Sequence, residues 1–465
     1  MGTRDDRHPQ TKQMQLMTTI LTLADAGATL ARKPLTASQR HHAKRAVVDW
    51  ASALLPGSVE MPARAIEAAL ADDLDHGRSQ LTSGRRATAR AAALINGTAA
   101  HTVEVDDIYR EAIYHPGAPT IAAAWAVAQD VGADGETFLR AVVVGYELST
   151  RIGAALGRAH YRYWHNTGTV GTFGAAAAAA ALYGLDSVRF GHALATAATF
   201  ASGLQQAFRT DSMSKPLHAG RAAEAGVLAA QLARAGVTGS SAVLDGDTGL
   251  GRAMGDREAG GPDWPAAMTT LGEIFHIESM TFKNHACCGH TFAAIDGALA
   301  LKQRMGITAD DVARVQVATY RPALDVAGNV NPRTAAEARF SVFYVVATAL
   351  RFDRVRLAAF SDERLQDAQT RALMSRIDLA VDPDIDARFP GRRAACVTIT
   401  THDGRTDSHL QPTRKGDPEL PLSDSDLDDK FIELAGPVLG DERTRAVLAQ
   451  LWALDEQREW PSFGL

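Results

Sequence analysis

The sequence predicts a mainly α fold: a large all-helical domain over residues 1–279, carrying an inserted smaller α+β domain over residues 280–414, with residues 415–465 packing back onto the first. Three observations predict it. From about Gln10 to Met268 the pattern is helical and dense in alanine, the best helix former, with no strand-like alternation. Beyond about Met280 a period-two alternation sets in. After Gly416-Asp-Pro418 and Pro421, which mark a linker, the helical pattern returns.

The first helix is expected within Met14–Ala31, a mildly apolar run that Asp25 interrupts and that lacks a signal-peptide layout. Helices follow at Gln39–Leu55, Pro62–Ala71, Arg85–Val103, Thr120–Gln129, Thr137–Leu156, Gly168–Leu182 and Gly220–Ala235. Pro56-Gly57, Gly184-Leu185-Asp186 and Gly236 punctuate them as turns or C-caps. In the second unit Ala313–Tyr320, Ile377–Val381 and Ala394–Thr401 read as strands, with helices at His290–Met305, Ala335–Leu350 and Asp362–Met374. Ser425–Ala435 and Asp441–Leu451 are the terminal helices.

Composition narrows the function. At 465 residues the chain has room for two or three domains, and 46% hydrophobic with 22% charged residues is ordinary globular usage. A formal net charge of -6 offers no general attraction to nucleic acid or acidic membranes, and no apolar run reaches transmembrane length. Of three cysteines, Cys287 and Cys288 are adjacent, which disfavours a disulfide framework and fits a reducing, cytoplasmic location.

The segment Asp211–Gly226 sets Lys215, His218 and Arg221 in a loop opening an Ala-rich helix. Helix starts prefer acidic side chains, so cations there point to a bound carboxylate or phosphate rather than to helix stability; the plain alternative is a solvated basic turn. Asn96-Gly…His101…Glu104-Val-Asp-Asp107 runs from a helix into a carboxylate-rich loop. Asp106 and Asp107 fit capping and orienting roles better than a metal pair. His115 lies on the rigid turn Tyr114-His-Pro-Gly-Ala-Pro119, as a general acid or base requires. In Trp164–Gly174 no strand precedes the glycines and G-x-G-x-x-G is absent, so they permit close packing beside a small ligand that His165 could face. Cys287, Cys288, His285 and His290 suggest zinc, but adjacent cysteines seldom fold around one tetrahedral ion; Lys283, at the domain junction, is the stronger candidate. G-x-S-x-G, P-loop and H-E-x-x-H motifs are absent.

Taken together and in this order, these segments resemble the MmgE/PrpD family. The resemblance extends through Gly145-Tyr-Glu-Leu-Ser-Thr-Arg-Ile-Gly153, His165-Asn-Thr-Gly168, Ser212–Ala223, Lys283…Cys287-Cys288…Ile295-Asp296 and Glu337-Ala-Arg-Phe-Ser341, about Ala43 to Phe431 in all. It implies a helical domain, an α+β lid, a homodimer, and a site without cofactor or metal between domain and lid. The family's site histidines fall on His115 and His165, its cations on Lys215 and Lys283, and its lid tyrosine on Tyr320, before Arg321. Glu104, His101, His218, Arg221 and Arg321 are the expected substrate-binding set. Glu104 stands where the family has an aspartate and Ile108 where it has a threonine. The implied activity is a metal-independent lyase for a small carboxylate, dehydration of a 2-methylcitrate-like substrate being the first choice. Decarboxylation, epimerisation and non-catalytic carboxylate binding are the alternatives.

Overall fold

The structure is a computed structural model describing residues 18–208, 212–255, 261–389, 391–457 and 460–464. Among the described residues, nine helices of nine residues or more build the first part: α1 (Thr19–Leu30), α2 (Ala37–Ser58), α3 (Met61–Ala69), α4 (Ala89–Ala100), α5 (Gly117–Val131), α6 (Gly135–Tyr161), α7 (Asn166–Leu182), α8 (Ser187–Phe200) and α9 (Ser214–Arg234). At the centre lies α7, buried along almost its whole length against α5, α6, α8 and α9. Its small residues make that possible. A Cβ at Gly171 would meet the Pro119 ring, and one at Gly226 of α9 would run into Ala175 and Ala176. Backbones approach this closely only where side chains are absent or a single methyl.

One two-stranded ribbon, β1 (Leu74–Gln80) with β2 (Arg86–Ala87), interrupts the helical region and corrects the expectation of an all-α half. It was hidden because Asp75 and Gly77 take positive φ and break any alternation. The helix expected from Arg85 therefore begins at Ala89, where the Thr88 side chain accepts from Ala91 N–H. The first helix begins at Thr19; residues 14–17 of the expected span lie outside the described residues, as does Asp211.

The second part holds a four-stranded sheet ordered β4-β3-β5-β6, with β3 Val312–Thr319, β4 Ile377–Val381, β5 Ala395–Thr401 and β6 Thr406–Gln411. β3 and β4 are parallel, Val315 opposite Ile377, and the other pairs are antiparallel. Val397 and Ile399 of β5 join Phe292, Ile295 and Val345 in a hydrophobic cluster of its own. β6 is a correction: its sequence is nearly all polar because it is an edge strand with little to bury. Two expected helices are each broken in two. Ser341 caps Val342–Phe352 after the short Ala335–Ala338, and Asp367 caps Ala368–Met374 after Asp362–Leu365. The returning helix Asp424–Leu439 lies against α2.

Candidate active site

The loop between α4 and α5 carries the densest chemistry. Glu104 has φ +62°, a left-handed conformation that a side chain adopts at a cost of about 1 kcal/mol or more. Two ammonium groups hold it there. Lys283 Nζ donates to the Glu104 carbonyl at 2.8 Å and lies 3.5 Å from its Oε2, and Lys215 Nζ donates to Oε1. Burial would raise the Glu104 carboxyl, but Lys215 and Lys283 outweigh it and hold the group far below its usual range. One residue on, Lys430 Nζ donates to the Val105 carbonyl at 2.6 Å and to Asp49 Oδ1 at 2.6 Å, the pair almost fully buried. Successive carbonyls of the loop thus end on lysines from distant parts of the chain. Asp107 completes the anchorage: Oδ1 accepts from Gly117 N–H, at the start of α5, at 2.9 Å, and Oδ2 accepts from Tyr146 OH at 2.8 Å.

Asp106 points the other way, among imidazoles. Its Oδ2 is 2.7 Å from His101 Nδ1 and 3.3 Å from His115 Nδ1, the second within ion-pair reach but not aligned as a hydrogen bond. The His101 ring stacks on His165 at 5.4 Å and meets His115 edge-on at 4.9 Å. His165 in turn meets His218. Four sequence-predicted histidines therefore form one continuous cluster. Burial drives His115 down to about 4, more than Asp106 can offset, and drives His165 well below its usual range with help from His101 and Lys215. Both imidazoles are neutral at physiological pH. Asp106 is held well down because His101 and His115 overcome its burial.

His101, Asp106 and His115 place their donor atoms within 4.8 Å of one another, a set that could hold a metal ion. Both Nδ1 atoms, however, lie against one carboxylate oxygen, so a cation would displace the bond that orients His101.

Lys215, His218 and Arg221 divide. Lys215 and His218 belong to the cluster, on the first two turns of α9 rather than in a loop. Pro216 is tolerated there because first-turn N–H groups have no helical acceptor. Arg221 does not join them: its guanidinium is half exposed and pairs with Glu224. Arg321 is exposed, its backbone N–H donating to Asp386 Oδ1 at 2.8 Å. Tyr320 is buried, with OH 2.9 Å from His290 Nδ1 and ring stacked on Phe389 at 4.6 Å, so its link to the histidines is indirect. Two further groups share these electrostatic surroundings: burial raises the Tyr320 and Tyr161 hydroxyls, the Arg393 charge opposes it at both, and Glu104 and Lys283 also act on Tyr161. No motif surrounds Tyr161 or Arg393; only the fold brings them near. Cys287 is buried against Thr291 Oγ1 at 3.2 Å, and His285 pairs with Asp296 at 2.9 Å, so these zinc candidates have other partners.

The family model described as the MmgE/PrpD N-terminal domain matches residues 22–260, and that for the MmgE/PrpD C-terminal domain matches residues 285–454. The chain is 29% identical to the cis-aconitate decarboxylase of Homo sapiens, the match covering 75% of this chain and 73% of that one. It is 29% identical to the cis-aconitate decarboxylase-like protein oryM of Aspergillus oryzae, covering 80% of each. Similarity to the 2-methylcitrate dehydratase of Salmonella typhimurium is 30% over 25% of this chain and 26% of that one.

Proposed function

The chain belongs to the MmgE/PrpD family, and on that premise we propose that it is a metal-independent lyase of a small di- or tricarboxylate. The observation that carries this reading is the Glu104 carboxylate lying between the ammonium groups of Lys215 and Lys283, beside the histidine cluster. Such a site binds carboxylates and supplies what carbanion chemistry needs. Breaking a bond next to a carboxylate builds negative charge on its oxygens, and preorganised cations in a desolvated site stabilise that charge most where it develops. The histidines supply the proton traffic. An entering polyanion raises their pKa toward neutrality, so His115 and His165 gain proton affinity when substrate arrives.

Two reactions share this start. In decarboxylation the carbon–carbon bond to one carboxylate breaks, CO2 leaves, and the electron pair stays on the substrate until an imidazole protonates it. In dehydration an imidazole takes the proton beside the carboxylate, and the hydroxyl leaves as water with a second proton. Decarboxylation of a cis-aconitate-like tricarboxylate moves ahead of dehydration, because the decarboxylase relatives align over three quarters or more of the chain and the dehydratase over one quarter. We further assign the sheet-bearing part as a lid, whose Lys283 completes the site when closed.

Incubation with cis-aconitate, citrate, 2-methylcitrate and iminodisuccinate, followed by CO2 release, ultraviolet absorbance and optical rotation, tests the reading. CO2 from cis-aconitate is the expected result. An absorbance change without CO2 would replace it by dehydration, and binding without turnover would reduce the protein to a carboxylate binder.

A further inference from the structure

His165 and His218 face each other with their Nδ1 atoms 3.0 Å apart and ring planes at 50°. A neutral imidazole carries a single N–H, so a contact of that length holds when one Nδ1 donates and the other accepts. Two states meet the condition. If His165 donates, its Nε2 is unprotonated and can act as a base; if His218 donates, His165 carries its proton on Nε2 and is an acid.

The backbone fixes the His218 ring in this position. A Cβ on Gly203, where φ is +128°, would come within 3.2 Å of His218 Nδ1, and one on Gly168 within 3.1 Å of His218 Cβ. The Gly203 carbonyl also accepts from His165 N–H at 2.9 Å, so one glycine both clears the groove for one ring and anchors the backbone of the other. Among the described residues, His101, Lys215, His218 and His115 act on the charge of His165, and His101 and Lys215 on that of His218. Burial first, and these neighbours after it, lower both rings from the ordinary histidine range, which favours a shared single proton over a pair of cations.

We propose that His218 is a positioning residue that sets the tautomer of His165, and with it whether His165 meets the substrate as base or acid, rather than a substrate contact itself. The inference rests on the lyase reading only in giving His165 a proton to move.

Imidazole 15N spectra of the free protein test it without substrate. Wild type is expected to show His165 in one tautomer, and His218→Phe a mixture of two. In turnover, His218→Phe is expected to lose on the order of 100-fold in kcat, the worth of one acid–base group, with KM within about threefold. His218→Asn, whose amide either donates or accepts near the Nδ1 position, is expected to restore most of kcat. An unchanged His165 tautomer in His218→Phe, or an equal loss in both variants carried by KM, overturns the proposal. Should His218→Phe not fold, rapid exchange between His165 tautomers in wild type overturns it alone. A protein inert toward every carboxylate would sink the lyase reading while leaving the spectra decisive.

Discussion

Glu104 concentrates the cost of the site in one residue: a left-handed backbone and a partly buried carboxylate, both compensated by lysines. Lys215→Ala is expected to lower turnover on the order of 100-fold or more, as loss of one preorganised donor does, and Lys215→Arg to recover only part of it, because a planar fork does not replace a point charge. Steady-state kinetics decide this; near wild-type turnover in Lys215→Ala would remove the anion site from the mechanism. Lys215, Lys283, His115 and His165 were legible in the sequence because each lies in a recognisable segment. Asp106 was legible only as an orienting acid, since nothing in its neighbourhood announces two imidazoles on one oxygen. Lys430 was not legible at all. It lies 325 residues from the carbonyl it holds, inside an ordinary helical pattern.

At the scale of elements, helix contacts without side chains carry the framework that presents these groups. Gly220 of α9 crosses α4 so closely that a Cβ would collide with the Leu94 carbonyl and Thr98 Oγ1. Overpacking of this kind typically costs about 1–3 kcal/mol, so Gly220→Ala is expected to lower the melting temperature by several degrees and to disturb Lys215 and His218 on the same helix. A melting curve superimposable on wild type would show that α4 and α9 can separate freely. Long Ala-rich helices could be read from the sequence because their periodicity repeats over several turns. The ribbon β1–β2 and the edge strand β6 could not, one being bent by positive φ and the other polar at every position but Leu410.

Across the whole molecule, buried neutral histidines make acid the weak side. His115, His160, His276 and His290 are each lowered from 6.5 to about 4, mainly by burial. The unfolded chain takes up protons at these positions first, so stability is full above about pH 6.5 and falls progressively toward pH 4. Asp49, raised by burial to about 6, and Asp107, raised well above its usual range, work in the opposite direction but are fewer. Thermal melts from pH 8 to pH 4 are expected to show a continuous fall below pH 6.5; a flat profile would mean these rings are hydrated. Assembly is expected to be a homodimer through Ala-rich helical faces. Light scattering at the mass of one 49.5 kDa chain, at micromolar concentration, would overturn it. The two segments by which the chain enters and leaves the sheet-bearing part run side by side, Phe282 N–H donating to the Gly416 carbonyl at 3.0 Å and Thr281 Oγ1 to Asp417 at 2.8 Å. Any lid motion therefore bends two strands of chain together.

The grip of Lys430 on the Val105 carbonyl also has a meaning in time. During synthesis, residue 105 leaves the ribosome more than three hundred residues ahead of residue 430, and the helices around it can form long before their last partner exists. Until Lys430 arrives, Asp49 faces a dry interior without its cation, and the Glu104 loop has lost one of its two carbonyl anchors. A nascent or truncated chain ending before Asp424 would hold most of its helices yet lack a finished site. The anchorage of the Glu104 loop is thus completed only once residue 430 has been made.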